Sequence, residues 1–564
     1  MNGRAKPLIL IVIFTLALSI LAGCGGGKSG GKSGGGNNPQ PQTYTVQFNT
    51  DGGSSVTSMQ VNSGSAISAP ASPTRAGYAF EGWYSDSGRT NRVSFPYTVT
   101  RNTTLYAKWT LIPVIEIRTP ADLDNVRNNL AGEYKLAADI SLSAYANWEP
   151  IGTDDAPFTG KINGNGYKIS GLKIDRARKA FVGLFGYIDG GAITNLALVN
   201  VNINGGGYSG SIAGYVTESS ITGSYSTGNI TSMFYAGGIV GLLLGGSISD
   251  CYSTGNIISL GAADTLLTYS GGIAGYMESG VITNCYSTGN IATANFAGGI
   301  VGGAVDDSLI TDCYSTGSIN STSTSGEADE QFSGGIAGYL DNSAVTDSYS
   351  TGNVSSYSSS GGIAGFALDS VVNNSYSRGR ISGEIDGGGI IAVSNSSAIT
   401  NCYSTGNISG SEFSAGGIAG YIRDSAITNC YSLGNVVGLS AGGIAGFAYS
   451  DNVITNCAAI NRTINSAASG RILGYTESMA SLSISNNFAF ENMIVLGAMF
   501  DVTDTMSNGI GKTDAQLKQR STYEGAINGD GLGGLGWRFG NGGDAPWKMP
   551  PTGSAHPYPI FWWQ

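Results

Sequence analysis

The chain has 564 residues, a net charge of −11 and a single histidine, His556. Glycine fills 88 positions, roughly twice its ordinary share of about 7%, while charged residues make up 12%, about half the usual quarter. This excludes a coiled coil, a long helical bundle, a charge-rich disordered tail and, since the glycines keep no three-residue period, collagen; it points to an all-β, turn-rich chain.

The first element is a processing signal. Arg4 and Lys6 precede an apolar run over 8–21, shorter than the about 20 residues a membrane span needs and suited to a signal-peptide core. The run ends in Leu21-Ala22-Gly23-Cys24, which resembles a bacterial lipobox. That resemblance implies cleavage after residue 23 and lipidation of Cys24, hence a membrane partner through acyl chains. Residue 25 is Gly rather than Asp, so the common inner-membrane retention signal is absent, and in a Gram-negative cell the outer membrane is expected. Residues 24–42, rich in Gly, Ser, Pro and Gln, read as a flexible tether.

Residues 43–110 read as a small β module. Tyr44, Val46 and Phe48 alternate with polar residues, Asp51-Gly52-Gly53 makes a turn, and TLYAKWT closes the segment. The stretches VQFNTDGG, PTRAGYAFEGWY and TLYAKWT resemble the Listeria–Bacteroides repeat, which implies a β-grasp-like fold and a spacer or adhesion role. Trp83, Tyr84, Tyr106 and Trp109 are either sugar-stacking rings or, as small cores favour, packing.

Residues 111–180 are expected to form an N-terminal cap and the first coils, with a short amphipathic helix from Thr119 carrying Leu123, Val126 and Leu130. Then a repeat of about 27 residues runs over 181–474. Its key aliphatic recurs at Leu184, Ile212, Ile239, Ile273, Ile300, Ile336, Ile363, Ile390, Ile418, Ile444 and Ile472. Such a short unit cannot bury its own apolar face, so the copies must stack. The expected fold is a capped parallel β-helix of about eleven coils. The units GGIAGY and ITNCYSTGNI resemble the GLUG motif, which implies a surface location and no catalytic residue of its own.

Six cysteines (Cys251, Cys285, Cys313, Cys402, Cys430 and Cys457) share one repeat position, which Ser224, Ser348 and Ser375 take in other copies. In-register neighbours suit a disulfide poorly, so free inward thiols are expected. The next position is a tyrosine row: Tyr225, Tyr252, Tyr286, Tyr314, Tyr349, Tyr376, Tyr403 and Tyr431. Alternation turns it outward, either as a ladder for sugar rings or as self-stacked rings without a ligand. Two longer repeats place loops near 258–269 and 320–332, the second with Glu327, Asp329 and Glu330. Residues 475–564 read as the second cap: a short helix near KTDAQLKQ, then an aromatic plug ending in Phe561-Trp562-Trp563.

Three functions compete. One is a non-catalytic surface lipoprotein, a monomer, that binds a glycan, matrix or partner protein. Another is a spacer without ligand. The third is a β-helix lyase or hydrolase, which needs converging carboxylates. The adjacent pairs Asp154-Asp155, Asp306-Asp307 and Asp329-Glu330 face opposite ways if on a strand. No catalytic, metal or cofactor site is read, and no basic stripe marks nucleic acid as a partner.

Overall fold

The computed structural model describes residues 42–75, 77–261, 267–321, 331–477, 482–499, 508–525, 534–542, 545–561 and 563–564. Cys24 and the loop acids Glu327, Asp329 and Glu330 lie outside them. Two compact units divide between Ile112 and Pro113.

In the first unit a four-stranded sheet runs in the order Met59–Asn62, Thr43–Asn49, Thr103–Leu111, Tyr78–Tyr84. Its two central strands are parallel. Val46, Trp83, Val99 and Leu105 form the core, with Phe48, Phe80 and Trp109 packed against it. Trp83 is buried and meets Phe48 and Phe80 edge-on. Trp109 donates its indole N–H to the Thr50 carbonyl at 2.9 Å. A Cβ at Gly53 would lie 2.5 Å from that indole, which is why the turn after Asp51 needs glycine.

The second unit is a β-solenoid of about 12 turns, against about eleven expected. One coil shows the plan: β1 (Val281–Thr283), β2 (Tyr286–Ser287), β3 (Ile291–Thr293), β4 (Phe296–Gly298) and β5 (Val301–Val305). Each pairs in parallel with its counterpart in the next coil. Ile282, Ile291 and Ile300 point inward and are buried, and the same residue type above and below each continues the core through the stack.

The corners explain the polar letters of the repeat. Between β1 and β2 the chain turns through a left-handed residue, Asn284 (φ 51°), repeated at Asn401, Asn429 and Asn456. Asparagine and aspartate tolerate this conformation better than other side chains. The same device precedes each β1, at Ser279, Asp306, Asn342 and Asp369. Between β2 and β3 successive backbones nearly touch: a Cβ on Gly289 would sit 1.8 Å from the Gly255 carbonyl oxygen.

The β5 column has 11 strands, from Phe185–Asp189 to Leu473–Thr476, while the β1 column has 14. The extra strands include Val114–Ile117, Glu133–Leu136 and Lys161–Asn163, so the segment before the repeats adds coils besides carrying a capping helix. That helix, Pro120–Asp124, is closed by a reciprocal Thr119–Asp122 capping box.

The C-terminal residues depart from expectation. After strand Ile510–Lys512 and the short helices Asp514–Leu517 and Arg520–Glu524, the aromatic tail does not act as a plug at the solenoid's end. It runs back along the side of the coils, from Tyr431 to Tyr349.

Candidate functional site

Stacking in register places the β2 tyrosines directly over one another. Tyr225 and Tyr252 are 4.7 Å apart at 2°, and the spacing stays between 4.7 and 5.0 Å with angles of 5° or less through Tyr286, Tyr314, Tyr349, Tyr376, Tyr403 and Tyr431. Strand spacing of about 4.8 Å sets this distance. All eight rings therefore join one ladder.

The outward expectation holds for only half of it. Tyr376, Tyr403 and Tyr431 are buried, at 5%, 0% and 0% exposure, because a second ring stack lies on them. Trp537, Trp547, Phe561 and Trp563 stack at 4.6, 4.9 and 5.2 Å. Trp563 faces Tyr349 and Tyr376, Phe561 faces Tyr376 and Tyr403, and Trp547 faces Tyr403 and Tyr431. Tyr431 Oη donates to the Pro559 carbonyl at 2.6 Å and lies 2.9 Å from His556 Nε2. The Gln564 amide bonds Tyr403 Oη at 2.6 Å. Burial raises the Tyr403 phenol to about 12 and lowers His556 to about 4, so both are neutral at pH 7.

Tyr225, Tyr252, Tyr286 and Tyr314 stay half-buried, with no ring of the tail against them among the described residues. Exposed Thr254, Thr288 and Thr316 flank them on one side, and exposed Asp250, Asn284 and Asp312 on the other. The result is a strip of ring edges and phenol hydroxyls between rows of hydroxyl and amide or carboxylate groups.

The ladder begins at Tyr225, for the residue in register before it is Ala197. There a cavity of about 470 Å³ opens, lined by Asn163, Asn165, Tyr167, Lys168, Asn195 and Tyr225 among others. Sequence reasoning missed it. Its signal was the turn Asn163-Gly164-Asn165-Gly166-Tyr167, longer than the corresponding corner at Asn195-Leu196.

A second aromatic face was also missed, though its signal was present in the Tyr or Phe two residues before the Gly-Gly of four coils, at Tyr235, Tyr269, Phe296 and Phe332. Tyr208, Tyr235, Tyr269 and Tyr276 pack there edge to face, at 61°, 89° and 73°. Other pairs on this face stack, Tyr269–Phe296 at 11° and Phe296–Phe332 at 16°, but Ser359 and Asp386 interrupt the column, whereas the ladder runs unbroken through eight rings and is the better candidate.

The six cysteines are free and buried. They serve the corner: Cys251 N–H donates to Cys285 Sγ at 3.4 Å, and Cys285 S–H donates to the Thr283 carbonyl at 3.2 Å. Serine does the same at Ser348, which accepts from Cys313 N–H at 3.1 Å. Burial and the neighbouring thiols hold Cys430 well above the usual thiol range, which removes it as a nucleophile. Asp306 and Asp307 both occupy left-handed turn positions. Among the described residues no three His, Cys, Asp or Glu side chains gather to hold a metal.

Comparison with known proteins bears on the rest. Residues 44–108 are a Listeria–Bacteroides repeat domain. Residues 234–258, 267–292 and 295–320 match the GLUG motif, three of the eleven repeat copies. A stretch of 90 residues, 14% of this chain and 10% of its relative, is 48% identical to a provisionally named Gly-rich membrane protein of Evansella cellulosilytica. Another of 131 residues, 21% of this chain and 1% of the other, is 37% identical to halomucin of Haloquadratum walsbyi. The matches thus span a tenth or less of these relatives' own lengths. A solved structure provisionally named an immunoglobulin A1 protease, from Bacteroides ovatus, aligns over 80% of this chain and 92% of its own at 17% identity and a TM-score of 0.29, too distant to bear on activity.

Proposed function

We propose that this is a non-catalytic, lipid-anchored protein of the cell envelope that holds neutral glycan chains along the open rungs Tyr225 to Tyr314. The observation that carries the reading is the unequal treatment of one ladder. The chain covers the later rungs with its own aromatic rings and, among the described residues, leaves four rungs open, their ring edges and hydroxyls lying between rows of hydrogen-bonding side chains. A glycan chain lying on this strip meets apolar ring edges and finds partners for its hydroxyls on either side. The names of the membrane-protein and halomucin relatives support an envelope setting, and the lipobox at Cys24 supports the anchor. The protein acts as a monomer and needs no cofactor.

The test is retention of the full chain, in mild detergent, on an array of polysaccharides with released sugar measured alongside. Saturable retention without product, reduced at least tenfold by Tyr286→Ala, is expected. Released product returns the chain to the hydrolase or lyase class. Silence across the array favours the spacer. Incorporation of labelled palmitate, lost in Cys24→Ala, checks the anchor.

A further inference from the structure

The two ends of the tyrosine ladder are finished differently. At the far end Tyr431 is followed in register by Ala458, and an indole of the second ring stack covers that end: Trp537 lies 6.1 Å from Tyr431 and donates its N–H to the Asn456 carbonyl at 2.9 Å. At the near end Ala197 again omits a ring, but among the described residues no indole covers it, and a cavity opens there. Resting on the proposed glycan reading, we infer that this cavity is a terminal subsite that grips the last hexopyranose of a neutral glycan against the open face of Tyr225.

The geometry of the slot is set by register. Lys168 pairs with Ala197, and Ala197 with Tyr225. Two strand spacings, roughly 9.6 Å, therefore separate the Lys168 and Tyr225 backbones, and only a methyl group stands between them. One face of Tyr225 is covered by Tyr252; the other looks into the slot. One flat ring at stacking distance fills the omitted rung. Lys168 closes the column, so a chain lying along the ladder ends there rather than passing through.

The polar rim selects a sugar over an aromatic side chain. Asn163 Oδ1 accepts the Asn165 N–H at 2.7 Å, and Asn165 Nδ2 donates to the Leu136 carbonyl at 3.1 Å. These bonds orient both amides and leave Asn163 Nδ2 and Asn165 Oδ1 for a ligand, beside Asn195 and the Tyr167 hydroxyl. These rim side chains are exposed, and an indole or phenyl ring would leave them to water without pairing them. A hexopyranose pairs them. Lys168 is matched by Asp139, whose Oδ1 accepts its backbone N–H at 3.0 Å and whose Oδ2 lies 3.8 Å from Nζ. The site is therefore close to neutral and favours an uncharged sugar over a uronate.

The test uses the full chain and neutral hexaoses of β-linked glucose, xylose, mannose and N-acetylglucosamine, read by calorimetry and by saturation-transfer NMR. The decisive variant is Ala197→Tyr, which supplies the missing rung as most other coils do and so should fold. It is expected to weaken hexaose binding at least tenfold and to erase transfer to the terminal ring. Asn165→Ala, on an exposed turn, should weaken binding about threefold to tenfold. Binding that survives Ala197→Tyr but falls with Tyr286→Ala overturns the terminal subsite and keeps the ladder. Silence with every hexaose overturns the subsite; silence with the hexaoses together with the polysaccharide array overturns both.

Discussion

Trp563 lies 6.1 Å from Tyr349, ring centroid to ring centroid, at an interplanar angle of 27°. That contact is the border between the covered and the open ladder. One rung earlier, Tyr314 has only its two ladder neighbours as ring partners among the described residues. The tail therefore sets how many rungs a ligand can reach.

Loosening the tail should lengthen the platform. Phe561 is fully buried and touches Tyr376, Tyr403, Trp547 and Trp563. Phe561→Ala removes about 3–5 kcal/mol of packing, enough to undock the strap while the inward isoleucine core stays intact. Limited proteolysis should cut the variant's tail first, and polysaccharides longer than the open ladder should bind more tightly. Unchanged protease resistance would show that the strap is held elsewhere.

The corner cysteines give a substitution series with a sign. Cys285→Ser keeps an acceptor for Cys251 N–H and a donor for the Thr283 carbonyl, and should change stability little. Cys285→Ala leaves Cys251 N–H unpaired in the interior, costing about 1–3 kcal/mol. Denaturant unfolding of the two variants separates a hydrogen-bonding role from mere smallness, which predicts that Ala is tolerated as well as Ser.

Much of this architecture was legible in the chain. A solenoid repeats its chemistry at each coil, so Ile300 and Ile336 announce the core, and Tyr286 after Cys285 announces the ladder. The exchange of Cys313 for Ser348 told of a small side chain; that it must also accept an N–H was readable only once Asn487 appeared in the same role. The place of the tail was not legible, since nothing local in Trp547 or Phe561 specifies which coil it covers. Long-range docking is a property of two surfaces, and only one of them repeats. The cavity escaped for a related reason: it is made by what the repeat lacks at Ala197.

Asp386 occupies a position of the second aromatic face where other coils carry Phe296 or Phe332, and it is 6% exposed. Ser414 Oγ and Ser359 Oγ donate to its carboxylate at 2.5 and 3.3 Å, yet burial outweighs them and raises it to about 6. A raised folded value means that the unfolded chain releases the proton first. Stability is then fullest below pH 3.8 and is lost as pH rises through about 6. Asp386→Asn removes the ionisation. Its advantage over the natural chain should grow from near zero below pH 4 to on the order of 3 kcal/mol above pH 6, which unfolding curves at pH 4 and pH 8 would measure. Equal stability at pH 8 would mean that water reaches this carboxylate.

His556 predicts the opposite slope for the strap alone. Burial, and then the positive charge of Arg378, lower it from 6.5 to about 4. The groups facing it are Tyr431 Oη, the rings of Tyr403 and Tyr558, and Arg378, none of them negative at neutral pH. Protonation therefore favours the undocked tail, where the imidazole is solvated. Docking is complete above pH 6.5 and weakens as pH falls towards 4. Tail proteolysis by an acid-tolerant protease should accelerate across that window in the natural chain, and the acceleration should vanish in His556→Gln, which keeps a polar group near Tyr431 without a titrating charge. Since undocking uncovers Tyr349 to Tyr431, glycan affinity should rise over the same interval; a pH-independent affinity together with a pH-dependent tail would separate the strap from the binding surface.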